Sequence, residues 1–164
     1  MTRTRFATLL TAAVVVAMAG CSSDSGDDGN NPPPPPPPGS SEGAMTAKIN
    51  GASFASVGSA FSYTQSTLSI SGTNLTTTIS LAVGNVTAPG TYTVGATTGP
   101  VVIFIVSKTP SSGWDTISPG GTGTITITSI SATHVAGTFS FNAVPQSGTT
   151  GAMVVTQGSF NMSK

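Results

Sequence analysis

The sequence contains few charged residues. Its 164 residues include five Lys or Arg and five Asp or Glu. From Met45 onward the charged residues are Lys48, Lys108, Asp115 and Lys164, so three positive charges minus one negative charge give a formal +2. Such a surface lacks both the basic field that binds nucleic acid and an acidic field for cationic partners. We therefore expect no nucleic-acid partner.

Groups that carry catalysis are equally scarce. After residue 44 the sequence offers one imidazole, His134, one carboxylate, Asp115, and no cysteine. A glycosidase that uses two carboxylates is excluded by this count, and a zinc site needs at least three protein ligands. A Ser-His-Asp triad would have to use His134 and Asp115, and no Gly-x-Ser-x-Gly elbow accompanies them. We expect a non-enzymatic domain with no metal and no cofactor.

Residues 1–20 have the organisation of a signal peptide. Arg3 and Arg5 form a basic start, an apolar run follows from residue 6 to 18, and two small residues precede Cys21. The apolar run is too short to cross a bilayer as a helix of the mature protein. The sequence therefore predicts export and cleavage before Cys21.

The segment from Val16 to Cys21, VAMAGC, resembles the bacterial lipobox. By this resemblance Cys21 is acylated and becomes the mature N-terminus, and two or more acyl chains give stable membrane anchoring. The alternative is a plain secretory signal, although a single unpaired cysteine is unusual in an exported protein. We expect a bacterial cell-envelope protein whose lipid contacts the membrane. Ser22 is not acidic, which by the enteric sorting pattern favours the outer membrane.

Residues 21–44 combine the lipidated cysteine with a low-complexity linker. The linker is rich in Ser, Gly and Asp and contains seven consecutive prolines, Pro32 to Pro38. Such a run adopts polyproline II at about 3.1 Å per residue, or about 22 Å in all. The run predicts a spacer beside the lipid anchor, and the alternative is a ligand for an aromatic groove.

Residues 45–164 alternate large apolar side chains with small or hydroxylated ones, with a period of two. Examples are Ile79, Leu81 and Val83 among Thr78, Ser80 and Ala82. This period and the regular Gly and Pro punctuation predict an all-β domain. We expect an antiparallel β-sandwich or barrel of about eight to ten strands, and the pattern leaves both architectures open.

Three local patterns make more specific predictions. Asn50-Gly51 predicts a tight turn. The run from Val101 to Val106 is apolar on both faces, which predicts the most buried strand. The apolar parity changes between Val155 and Phe160, which predicts a β-bulge at Gln157-Gly158.

Two segments resemble a family of uncharacterised envelope lipoprotein domains. The first is Ala47-Lys48-Ile49-Asn50-Gly51 followed by Phe54, and the second is the strand 125–128 followed by VAGTFSF at 135–141. The resemblance covers most of residues 45–164. It implies an all-β fold, and the family brings no established activity with it.

The loop from Thr109 to Gly121 contains the single tryptophan, Trp114, beside Asp115. An exposed indole stacks on sugar rings, and a carboxylate accepts sugar hydroxyls, so the pair is a candidate ligand site. The alternative is that Trp114 folds back and closes one end of the β-layers. We expect a binding or scaffold module for a glycan or an envelope protein. The alternatives are a carbohydrate-binding module using Trp114, or a weak hydrolase.

Overall fold

The computed structural model describes residues 41–95, 100–109 and 111–164, and Cys21 with most of the predicted linker lies outside them. Within this part the protein is all-β, which confirms the predicted class, and no helix has the length and apolarity to cross a membrane. The described residues form eleven strands, three of which are only four residues long. The strands are β1 Ala44–Ile49, β2 Ala52–Ala55, β3 Gly58–Thr64, β4 Thr67–Thr73, β5 Thr77–Val83, β6 Gly90–Thr93, β7 Val102–Lys108, β8 Ser112–Asp115, β9 Thr122–Ile130, β10 His134–Pro145 and β11 Met153–Ser163.

The strands form one antiparallel sheet that curls into a half-barrel, in the order β2-β1-β11-β10-β8-β7-β5-β4-β3. Strand β9 pairs with β10, and β6 pairs with β9. Strand β10 pairs with two different strands along one of its sides. Residues 135–142 pair with β9, and Val144 and Pro145 pair with β8. Strand β10 therefore joins the part of the sheet that contains β9 to the part that contains β8.

The alternating pattern of the sequence becomes the inside and outside of the half-barrel. The inward residues are almost completely buried, as in β5, where Ile79, Leu81 and Val83 are 0–1% exposed. The predicted turn after β1 is confirmed, since Asn50 and Gly51 have φ of 48° and 83° and join Ile49 to Ala52. Two consecutive positive φ values suit the twist of a two-residue hairpin, and Asn and Gly tolerate them best.

Strand β11 contains the predicted bulge. Its register with β1 slips between the pairs Thr46–Ser159 and Lys48–Thr156. Gln157, with φ of 51°, is the extra residue that absorbs the slip. Met153 and Phe160 therefore both point into the core although they differ in parity, and both are at most 2% exposed. The prediction of a bulge at this position is confirmed.

The core contains three cross-strand pairs of a phenylalanine with a glycine, and each pair joins neighbouring strands. Because glycine has no side chain, the rings of Phe160 and Phe139 lie directly over their partner glycines, and the ring of Phe104 lies over Gly123 beside the Cβ of Phe141. The rings also contact one another, with centroids 4.8 Å apart for Phe104 and Phe141 and 6.3 Å apart for Phe139 and Phe160. The three pairs are Gly137–Phe160, Gly158–Phe139 and Gly123–Phe141.

Candidate functional site

Strand β7 has one buried face and one outward face, and both are apolar. Val102, Phe104 and Val106 point inward and are 0–6% exposed. Ile103 and Ile105 point outward and are half-buried. The prediction that this run is the most buried strand is wrong for the outward face, because no element of the described chain covers it. Sequence alternation gives the period of a strand and does not reveal which face is covered.

An open groove of about 320 Å³ crosses the outward side of β3, β4, β5 and β7. Ile103 and Ile105 form its wall. Its floor consists of two rows of small residues. Each row contains one residue from β3, one from β4 and one from β5, which are neighbours through backbone pairing. The rows are Ser62–Ser69–Ala82, which leads to Ile103, and Ala60–Ser71–Ser80, which leads to Ile105.

The chemistry of the groove follows from its lining. Methyl and methylene groups offer apolar contact, and the serine hydroxyls donate or accept single hydrogen bonds. None of the described residues that line the groove is charged. Pockets with an apolar lining and a few polar groups suit uncharged ligands or apolar segments of a partner. The sequence alone missed this site, and its only signal was the two-faced apolar run of β7.

Trp114 lies inside the wall of the half-barrel and is 7% exposed. Its indole Nε1 donates a hydrogen bond to the carbonyl oxygen of Gly151 at 2.8 Å. The Nζ of Lys108 lies 5.9 Å from the ring centroid. The loop after β10 and the side chain of Lys108 therefore occupy the surroundings of the indole, which leaves no open ring face for stacking on a sugar.

Asp115 is also buried, at 7% exposure, and its carboxylate holds the turn after β8. Its Oδ1 accepts hydrogen bonds from the backbone N–H groups of Ile117 and Ser118, each at 2.9 Å. Its Oδ2 accepts one from Nε2 of Gln146 at 3.0 Å. The bond from the Ser118 backbone, with help from Gln146, holds the pKa of Asp115 below its usual value against the opposing effect of burial.

Replacing Asp115 with Asn is expected to destabilise the domain at pH 7 by about 1–3 kcal/mol, since charge-assisted hydrogen bonds are lost. A lowered folded-state pKa stabilises above the unfolded-state pKa of about 3.9, and this stabilisation disappears as the pH falls through the folded-state value. Urea unfolding of wild type and Asp115→Asn should therefore differ at pH 7, and the difference should shrink as the pH falls from about 4 through the folded-state pKa. The exposed carboxylate of Glu42 provides the control, Glu42→Gln. A difference that stays constant with pH would contradict this role.

His134 lies at the start of β10, on the outward side. Its Nδ1 is 3.1 Å from Oγ of Ser129, and its Nε2 is 3.0 Å from Oδ1 of Asn161. Asp115 pairs with Val144 at the other end of β10. The ten residue-to-residue steps from His134 to Val144 span about 33 Å at about 3.3 Å per step. The two groups required for a Ser-His-Asp triad are therefore far apart, and the partners of His134 come from strand pairing that the sequence did not reveal.

Comparison with known families gives one match. The model of the family described as "Domain of unknown function (DUF6252)" matches residues 41–162, which is about three quarters of the 164 residues. No curated protein and no solved structure matches the chain. The matched range contains all the strands that form the groove.

Proposed function

The chain belongs to the DUF6252 family, and on that premise we propose that it is a lipid-anchored protein of the bacterial cell envelope whose β-domain binds a partner without catalysis. The groove on the outward side of β3, β4, β5 and β7 is the binding surface. Its occupant is an uncharged, apolar segment of another envelope protein.

The observation that carries the proposal is the outward face of β7. A strand that packs one face in the core normally presents polar side chains on the other. Ile103 and Ile105 are instead apolar and half-buried, and Val101 beside them is 62% exposed. Contiguous apolar surface of this kind marks interaction sites in soluble domains. The absence of charge in the groove supports an uncharged partner, because burying an unpaired charge there would be unfavourable.

The anchor is supported by the sequence before the domain. The basic start, the apolar run and the sequence VAMAGC ending at Cys21 precede a linker that can hold a domain away from a membrane. A binding domain tethered near the membrane meets envelope partners at a high effective concentration. Catalysis is not part of the proposal, since the two candidate groups, His134 and Asp115, lie at opposite ends of β10.

The groove is tested with an uncharged apolar dye, Nile red, titrated into the Cys21→Ser chain. The double variant Ile103→Ser/Ile105→Ser is expected to lower the dye affinity at least tenfold, because it removes the apolar wall. The control is Val154→Ser, which removes an apolar side chain of 42% exposure from β11. Thermal unfolding of both variants verifies that they fold. Equal dye binding by both variants would contradict the proposal.

A further inference from the structure

Strand β3 is an edge strand with a free side. Within the described residues it pairs only with β4. A two-residue turn joins Thr64 to Thr67, so the backbone groups of the even-numbered residues 58 to 64 pair with β4. The N–H and C=O groups of Ser59, Phe61 and Tyr63 therefore point away from the sheet, along the free edge.

The residues of β3 themselves include none of the devices that normally prevent strand addition, and the charge beside them is the ammonium of Lys164, 4.9 Å from the centroid of the Phe61 ring. Edge strands are protected by lysines, prolines, bulges or short length. Strand β3 has seven residues, GSAFSYT, with no charge and no proline. A strand of this length with no charge and no proline of its own is a template for another extended backbone.

The chain's own proline run does not fit this edge. The hydroxyl of Ser59 donates to the carbonyl oxygen of Gly43, so the polypeptide enters the domain beside the start of β3. The linker that precedes this point contains the run of seven prolines, Pro32 to Pro38. Prolines have no N–H to donate, so seven in succession cannot form a ladder with β3. The proline run therefore cannot be the strand that completes this edge.

We propose that a second copy of this chain supplies it, through antiparallel pairing of β3 with β3. The residues whose backbone groups point outward are 59, 61 and 63, so Phe61 lies at the centre of the free edge. Around that centre Phe61 faces Phe61 of the second copy, and Ser59 faces Tyr63 of the second copy. Each of the three facing pairs exchanges two hydrogen bonds, about six in all. An interface of this kind is isologous and closes as a dimer.

Pairing through β3 also completes the groove. Ala60 and Ser62 lie on the outward side of β3, at the open rim of the groove floor. In the dimer this rim continues into the same residues of the second copy. Two half-grooves become one trough, with Ile103 and Ile105 of each copy as its two walls. What the trough binds rests on the proposed function. The dimer itself can be measured without any ligand.

Disulfide trapping tests the pairing and its register. The residues between the hydrogen-bonded pairs face each other at a Cα separation of about 4.5 Å, within the range for a disulfide. Ala60 faces Ser62 of the second copy, so Ala60→Cys/Ser62→Cys in a Cys21→Ser chain should form covalent dimers under mild oxidation. The matched control is Thr138→Cys/Ser140→Cys, which also places two cysteines two residues apart, but on the outward side of the internal strand β10. Equal cross-linking of both pairs, or none of the first, would overturn the proposal.

The mass of the Cys21→Ser chain provides the second measurement. Analytical ultracentrifugation is expected to detect a reversible dimer, and Ser62→Lys should raise its dissociation constant at least tenfold, since an exposed lysine opposes strand addition. Thr138→Lys is the control and should leave the constant unchanged. A chain that stays monomeric at all concentrations, or a dimer insensitive to Ser62→Lys, would refute β3 pairing. Either result would leave the Nile red test of the single groove intact.

Discussion

Replacing Gly137 with Ala is expected to destabilise the domain by about 3 kcal/mol or more, the upper range for overpacking a core. A Cβ at Gly137 would lie 2.2 Å from the carbonyl oxygen of Thr126 and 2.6 Å from Cζ of Phe160. The first contact is with the backbone of β9, which cannot move without breaking its pairing. The second is with a fully buried ring. Added volume has nowhere to go at this position.

The matched control is Gly58→Ala in β3, where the nearest atom to an added Cβ is Cγ2 of Thr73 at 3.7 Å. This change should be neutral or slightly stabilising, because alanine reduces the entropy of the unfolded chain. Urea unfolding of the two variants measures the difference directly. Similar stability of Gly137→Ala and Gly58→Ala would contradict the close packing of ring against backbone.

Replacing Cys21 with Ser is expected to move the protein from the membrane fraction to the soluble fraction almost completely. Stable anchoring needs two or more acyl chains, each contributing about 0.8 kcal/mol for every buried CH₂. Serine cannot carry a thioether-linked lipid, and the β-domain presents few charges with which to bind anionic headgroups. Fractionation of bacterial cells that express the two chains, followed by intact-mass measurement, reads both location and acylation.

Ser22→Ala is the control for this experiment, because it changes the neighbouring residue and keeps the thiol. It should fractionate with the wild type. An exported wild-type chain with an unmodified cysteine would refute the anchor. Persistent membrane association of a Cys21→Ser chain whose intact mass shows that residues 1–20 have been removed would show that the domain itself holds the membrane.

Features of the fold that depend on local sequence could be predicted. The inward positions of β5, the Asn50-Gly51 turn and the bulge at Gln157 each follow from a few neighbouring residues. Side-chain alternation assigns residues to faces, glycine and asparagine mark positive φ, and a change of parity requires an extra residue. The all-β class follows from the same local patterns.

Features that depend on distant pairing could not be predicted. The groove exists because β3, β4 and β5 bring small outward residues side by side next to the isoleucines of β7, and the order of these strands in the sheet is not encoded in any one segment. The partners of His134 come from β9 and β11 for the same reason. The burial of Trp114 depends on Gly151, which is distant in sequence. Asn161 and Gly151 lie 27 and 37 residues along the chain from the side chains that they contact.

The shared position of β10 has a consequence for how the protein loses its structure. This strand borders β11 along most of its length and divides its other side between β9 and β8. The sheet has two arms on this side of β10: one is β9 with β6, and the other begins with β8 and β7. Opening either arm removes backbone partners from β10, which also holds the other arm. We therefore expect the two arms to melt in a single cooperative step, and the amide hydrogens in the middle of β10 to exchange with solvent only when the whole domain unfolds.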